Sequence, residues 1–296
     1  MIKRLFLAAA VAWLVLTGAT AQAEEKEITI GFLSWSGPFK GMREWGATGD
    51  YLAEQLGRPV TVLPLEFKEV LPAVAAGAVD FFTADPAMFV IAKRQYGAEA
   101  VVTMKNTLIG SEQIGAVLFT AVENSAVNGL TDLQGKKFGA LRRWSFAGWQ
   151  MAEKEFLDAG LDAYSSLSTL RFFENPQAVV KAVLSRQIDA GTIPTGLLEQ
   201  MAEEGALRLE EVKVLERKFH RDFPYLCSTL LYPSFPLART ANADPKLAKK
   251  IAAALKAMPP DHRSLLEAGL SGWVDPLDYS GVEQVLGQLK GRRLDQ

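Results

Sequence analysis

Val79-Asp80-Phe81-Phe82-Thr83-Ala84-Asp85-Pro86 and, 109 residues further on, Ile188-Asp189-Ala190-Gly191-Thr192-Ile193-Pro194-Thr195 are two versions of one segment. In each, an Asp opens a short run three residues before a Thr. The same offset extends outward: Trp35-Ser36 is answered by Trp144-Ser145, and Ala73-Val74 by Ala182-Val183. In both halves the Trp-Ser pair follows an apolar strand-like run and precedes a helix-like stretch, while the Asp-Thr pair follows a helix and starts the next short strand. Two βαβα units of one design are expected. Facing each other, they would place both Trp-Ser turns and both Thr residues at the carboxyl ends of strands, where open α/β sheets take up ligands, with a cleft between two lobes.

Punctuation around the repeat supplies the elements. Residues 27–34 read as a strand ending at Gly37-Pro38, and a helix follows through residue 56. A strand at 60–65, a helix at 67–76 stopped by Gly77, and a strand at 80–83 complete the first unit. In the second, a strand at 137–141 leads to a helix at 146–157. Asp85-Pro86, Asn175-Pro176 and Asp244-Pro245 each put a side-chain acceptor at a helix cap and a Pro at the first helical position, and apolar residues follow at helical spacing. No Pro- or Ser-rich linker separates the halves, so crossing strands should join the lobes, out near residues 116–122 and back near 228–237. Lobe 1 would comprise 24–120 plus 228–296, and lobe 2 residues 121–227.

The start of the chain, Met1-Ile2-Lys3-Arg4, an apolar run over 5–16 and Ala21-Gln22-Ala23 before Glu24-Glu25-Lys26, matches a secretory signal peptide over residues 1–23. The apolar run is short of the ~20 residues of a spanning helix. An exported, periplasmic protein is expected. The chain carries 32 Lys and Arg against 34 Asp and Glu, which offers no global attraction for nucleic acid or an anionic membrane, so an anion must be captured locally. Cys227 is the single cysteine. It is either a small core residue or, if exposed and activated, a thiol ligand for a soft metalloid.

Arg142-Arg143-Trp144-Ser145-Phe146-Ala147-Gly148 links a strand to a helix whose first N–H groups lack internal partners. An anion could supply them, with Ser145 donating its hydroxyl and Arg142 or Arg143 adding a charge-assisted bond. Alternatively Ser145 caps its own helix and the arginines are solvated. Trp35 and Trp144 could sandwich a ligand across the cleft or serve as core residues. Asp85 with Thr83, and Thr192 with Pro194 and Thr195, hold matching places in the two lobes. His220 and His262 stand in no metal-ligand spacing, and no Ser elbow, phosphate loop or paired-carboxylate motif is present.

In Val79-Asp80 through Asp85-Pro86, the loop around Ser145 and Gly148, residues 188–192, Phe223-Pro224 through Pro233, and Gly272-Trp273 with residues 275–279, the chain resembles the PhnD-like family of periplasmic phosphate and phosphonate binding proteins of ABC transporters. The last two segments look closer to the sensing modules of tetrathionate-type sensor kinases. The resemblance implies a type II two-lobed periplasmic binding protein, each lobe a βα sheet sandwich. Phosphonate binders of that group hold the anion with a Ser-Thr-Ser-Gly loop; here Ser145 and Gly148 remain, with Phe146 and Ala147 between. The two missing hydroxyls leave room for a bulkier, softer or less charged oxyanion of sulfur, phosphorus or arsenic.

The expectation is a monomeric, non-enzymatic solute-binding protein without cofactor or metal. It would close on a small ligand, an oxyanion, and present it to a membrane permease or a histidine kinase sensor. Its ligand residues would be Trp35, Ser36, Thr83, Asp85, Arg143, Trp144, Ser145, Phe146, Thr192 and Thr195. The alternative is an exported enzyme acting on a small anionic substrate in the same cleft.

Overall fold

The computed structural model describes residues 27–35 and 37–289. The expected signal peptide and Ser36 lie outside them.

The first unit runs β1 (Ile28–Leu33), α1 (Pro38–Leu56), β2 (Val60–Leu65), α2 (Phe67–Ala75), β3 (Phe81–Thr83), α3 (Pro86–Tyr96) and β4 (Glu99–Asn106). A short strand, β5 (Gln113–Ile114), precedes β6 (Ala116–Ala121). The second unit repeats the first as β7 (Lys137–Leu141), a π-helical turn Phe146–Gln150 running into α4 (Met151–Asp158), α5 (Ala163–Ser166), β8 (Thr169–Phe173), α6 (Pro176–Leu184), β9 (Ala190–Pro194), α7 (Leu197–Glu203) and β10 (Val212–Leu215). The chain returns through β11 (Tyr232–Pro233) to β12 (Pro236–Arg239), α8 (Pro245–Lys256), α9 (Arg263–Ala268), β13 (Leu270–Val274) and α10 (Ser280–Leu289).

These strands form two main sheets of the same plan, β13-β4-β12-β3-β1-β2 and β10-β6-β9-β7-β8. In each, the unit's first strand lies between its second and third, all parallel, and an antiparallel strand follows. The register is shared as well: Ile28 faces Val60 and Lys137 faces Thr169, the same spacing in both lobes. The repeated Asp explains part of the match. Asp80 Oδ2 accepts from the Thr29 N–H (2.9 Å) and Asp189 Oδ2 from the Lys137 N–H (2.8 Å), so each fastens the start of one parallel strand to its neighbour, at the end away from the carboxyl termini.

The antiparallel strand of each sheet comes from across the junction. β6, expected to be a crossing, hydrogen-bonds along its length to β9 and β10, so Ala116–Ala121 belongs to the second sheet. The crossings themselves are residues on either side of β5 and β11, which pair as a two-stranded antiparallel ribbon, Ile114 against Tyr232. Sequence alone could not distinguish an apolar crossing from an apolar sheet strand, because both read as buried runs.

Strand alternation builds the core. Phe81, Ile28, Ile30 and Phe32 pack with Trp45, Leu52, Ile251 and Trp273 on one face of the first sheet, whereas Phe82 and Leu33 turn to the other with Met88, Val90, Val285 and Leu286. Phe146, Ala147 and Met151 of the second lobe join that latter cluster, and Phe146 meets Tyr232 of the ribbon edge-on at 5.2 Å. The three Asx-Pro caps form as expected: Asp85 accepts from Ala87 N–H (3.0 Å), Asn175 from Ala178 N–H (2.9 Å) and Asp244 from Lys246 N–H (2.9 Å). Cys227 is fully buried, and its thiol donates to the Thr229 carbonyl (3.3 Å). Burial raises its pKa, so it is a core residue rather than an activated thiol.

Candidate functional site

The turns that leave the carboxyl ends of β1, β2, β7 and β8 converge between the lobes. A cavity of about 650 Å³ opens there, walled by Trp35, Glu66, Phe67 and Lys68 of the first lobe and by Arg142, Arg143, Trp144, Phe172 and Glu174 of the second. A second space of about 370 Å³ continues inward from Trp35, Arg142 and Glu174 to Asp85, Ser145, Asn175 and Phe235. Trp35 and Trp144 remain partly exposed, at 38% and 42%, as wall residues of a cleft would be. The described cavity wall carries three cations, Lys68, Arg142 and Arg143, against two carboxylates, Glu66 and Glu174.

Arg142 spans the cleft. Its guanidinium lies 5.0 Å over the Trp35 ring of the opposite lobe while Nε reaches Glu174 Oε2 at 3.2 Å. Trp35 is braced from behind by Phe67 (5.4 Å) and Phe235 (6.4 Å). Arg143 lies over Tyr164 and Phe172 at 5.4 and 5.6 Å, and both Lys68 and Arg142 have a carboxylate neighbour, Glu66 at 3.3 Å and Glu174 at 3.1 Å.

Deeper in, Ser145 behaves as a cap. Its hydroxyl oxygen accepts from the Gly148 N–H (3.1 Å), and a Cβ at Gly148 would stand 2.7 Å from that oxygen, so only glycine permits the turn to close. The Phe146 N–H, two positions earlier on the helix end, donates to Asp85 Oδ2 from the other lobe (3.1 Å). Asp85 is 1% exposed, and its burial pushes the carboxyl pKa up to about 7 against the lowering effect of the hydrogen bonds from Phe146, Ala87 and Met88.

The structure therefore brings Trp35, Asp85, Arg143, Trp144 and Ser145 to the cleft wall and moves other expected residues off it. Thr83 is buried beneath the wall with its hydroxyl accepting from the Leu33 N–H (2.8 Å). Thr192 is fully buried in β9, and its hydroxyl has no partner among the described residues. Thr195 serves the crossing instead, accepting from the Gly115 N–H (3.2 Å). Phe146 contributes its backbone, while its ring is buried. For Thr83 and Thr192 the cause is the pleat, since a strand residue points into the core as often as into the cleft; Thr195 lies just past β9 and Phe146 at a helix start, where the turn sets the side. Glu66, Phe67, Lys68, Phe172 and Glu174 were missed. The repeat contained a signal for Glu66 and Phe67, which occupy places matched to Asn175-Pro176 after the second strand of each lobe; Phe172 and Glu174 carry none, since the same offset pairs them with Leu63 and Leu65.

Among the described residues no group of three or more His, Cys, Asp and Glu could hold a metal ion, and no helix is long and apolar enough to cross a membrane.

Known proteins share this arrangement. The tetrathionate sensor histidine kinase TtrS of Salmonella typhimurium is 29% identical over 267 residues, covering 88% of this chain and 43% of TtrS; the chain spans less than half the length of that relative. Among solved structures, PhnD1 from Prochlorococcus marinus (MIT 9301), in complex with methylphosphonate, superposes with a TM-score of 0.70 at 14% identity, over 90% of this chain and 98% of that one. XAC2383 from Xanthomonas citri, bound to ATP, gives a TM-score of 0.70 at 15% identity, over 90% and 96% of the two chains. At such identities these likenesses speak to the fold, which is the two-lobed fold of type II periplasmic binding proteins. Residues 30–280 match the family described as ABC transporter, phosphonate, periplasmic substrate-binding protein, and the chain belongs to that family.

Proposed function

We propose that the protein is an exported, monomeric receptor that captures a small oxyanion between its lobes, and that a membrane partner, an ABC permease or a histidine kinase, reads the shut form. The observation that carries this is the wall of the interlobe cavity, where Lys68, Arg142 and Arg143 outnumber Glu66 and Glu174 and two half-exposed tryptophans, Trp35 and Trp144, stand in opposite lobes. A cation wall with aromatic faces suits an anion that is large or soft enough to shed part of its water, as a polythionate or an organic phosphonate would. The family description names phosphonate and the TtrS name tetrathionate, and both are anions of this kind.

The lobes in this reading are the two sheets with their helices, hinged at the β5–β11 ribbon, and residues 1–23 are a leader removed on export. The role is binding rather than turnover: Asp85, the buried carboxylate at the cleft, accepts from helix ends of both lobes, which is a holding role. A thermal-shift screen of the exported form against phosphate, methylphosphonate, tetrathionate, thiosulfate and arsenite tests the reading, because binding to the folded state raises its apparent stability by mass action. At least one oxyanion should raise Tm in a saturable way and be recovered chemically unchanged. No shift with any of them, or conversion of the bound anion, contradicts it.

A further inference from the structure

Asp85 stands between two helix ends. Oδ1 accepts from the Ala87 N–H at the start of α3, and Oδ2 accepts from the Phe146 N–H at the start of the helical segment that becomes α4 in the opposite lobe. Each helix start presents N–H groups without internal partners and the positive end of a dipole, so one carboxylate satisfies both. It does so only while the lobes touch, because separating them parts Oδ2 from Phe146. Ser145 meanwhile turns its oxygen back onto the Gly148 N–H. The donors at residues 146 and 148 are thus both taken by the protein itself. An oxyanion placed at this helix end would have to displace these contacts and, wherever Asp85 is ionised, stand beside its charge. Of the cleft's cations, Lys68 and Arg143 stand only on the outer wall with Trp35 and Trp144, and Arg142 lines both that wall and the inner space.

We propose that the Asp85 carboxyl takes the place of a ligand oxygen: it fills the second lobe's helix end, latches the two lobes together, and directs the ligand's charged group to the wall of Lys68, Arg142 and Arg143. The directing half rests on the oxyanion reading given above, and the latch stands without it. Removing the carboxylate should both loosen closure and open the helix end to a small, highly charged oxyanion.

The test uses Asp85→Ala and, as the shape-preserving variant, Asp85→Asn, each in the exported form of the chain. Paired spin labels on exposed positions of α1 and α6 report the distance between lobes without ligand at pH 6. Wild type should populate the short distance and Asp85→Ala a longer one, with Asp85→Asn, which keeps one acceptor oxygen, in between. The same distance distribution in all three overturns the latch. In a second arm, inorganic phosphate and methylphosphonate are titrated calorimetrically. Asp85→Ala should bind at least one of them about ten-fold more tightly than wild type, and equal or weaker binding overturns the directing role. If neither protein binds any oxyanion, the ligand reading fails and the directing role with it, while the distance arm still decides the latch.

Discussion

Arg142 and Ser145 sit three residues apart and do different work. Arg142 reaches across to Trp35 in the other lobe, so Arg142→Ala should remove a contact that exists only when the lobes meet. We expect a loss of about 1 to 2 kcal/mol in ligand binding, read by calorimetry, with little change in Tm. Ser145 holds its own helix end. Ser145→Ala should therefore cost about 1 kcal/mol of folding stability, measured by urea unfolding, as other caps do. Asp85 adds a pH dependence. Its carboxyl is raised from 3.8 to about 7 where the lobes touch through Asp85 and Phe146, so that joined arrangement is favoured at low pH and loses ground as pH rises from near 4 through about 7. The ceiling on that loss is about 4 kcal/mol, at 1.36 kcal/mol per unit. Arg142 and Glu174, which line the same inner space, are the charged groups that face it. The interlobe distance should lengthen between pH 5 and pH 8 in wild type, and a flat profile would contradict the assignment. None of the division of labour between Arg142 and Arg143 was legible beforehand, because which of two adjacent arginines reaches across to Trp35 depends on how the chain bends after β7.

The elements themselves were largely readable. The strand at 137–141, the helix ending at residue 56 and the strand at 60–65 form within the bounds that Gly, Pro and apolar alternation imply. What could not be read was which strand joins which sheet. β6 and β12 enter sheets of the neighbouring topology through long-range pairing, and nothing local in Ala116–Ala121 or Pro236–Arg239 encodes that partner. The repeated Asp residues give this level its own prediction. Asp80→Ala and Asp189→Ala each remove one backbone acceptor, and each should destabilise by about 1 kcal/mol. The two lie in different lobes, so their effects should add in a double variant. Strong coupling between them would mean that the lobes unfold as one tightly joined core.

In the proposed reading the two lobes together form a device whose output is shape. Each sheet is internally packed, while the joins include the β5–β11 ribbon, the Asp85–Phe146 and Arg142–Trp35 contacts, and the apolar cluster that Phe146 shares with the first lobe. A ligand moves such a device only by its preference for the shut form. The duplicated plan was visible in the sequence through a handful of identities at one offset, and it led to the cleft. The ligand was not, because the loop at residues 145–148 departs from the family pattern at Phe146 and Ala147. Small-angle scattering of the exported form at pH 8, where Asp85 is ionised and the latch is weakest, tests the central claim most directly. With a saturating oxyanion from the thermal-shift screen the radius of gyration should fall as the lobes shut. An unchanged radius at full saturation would contradict closure on a ligand held between the lobes.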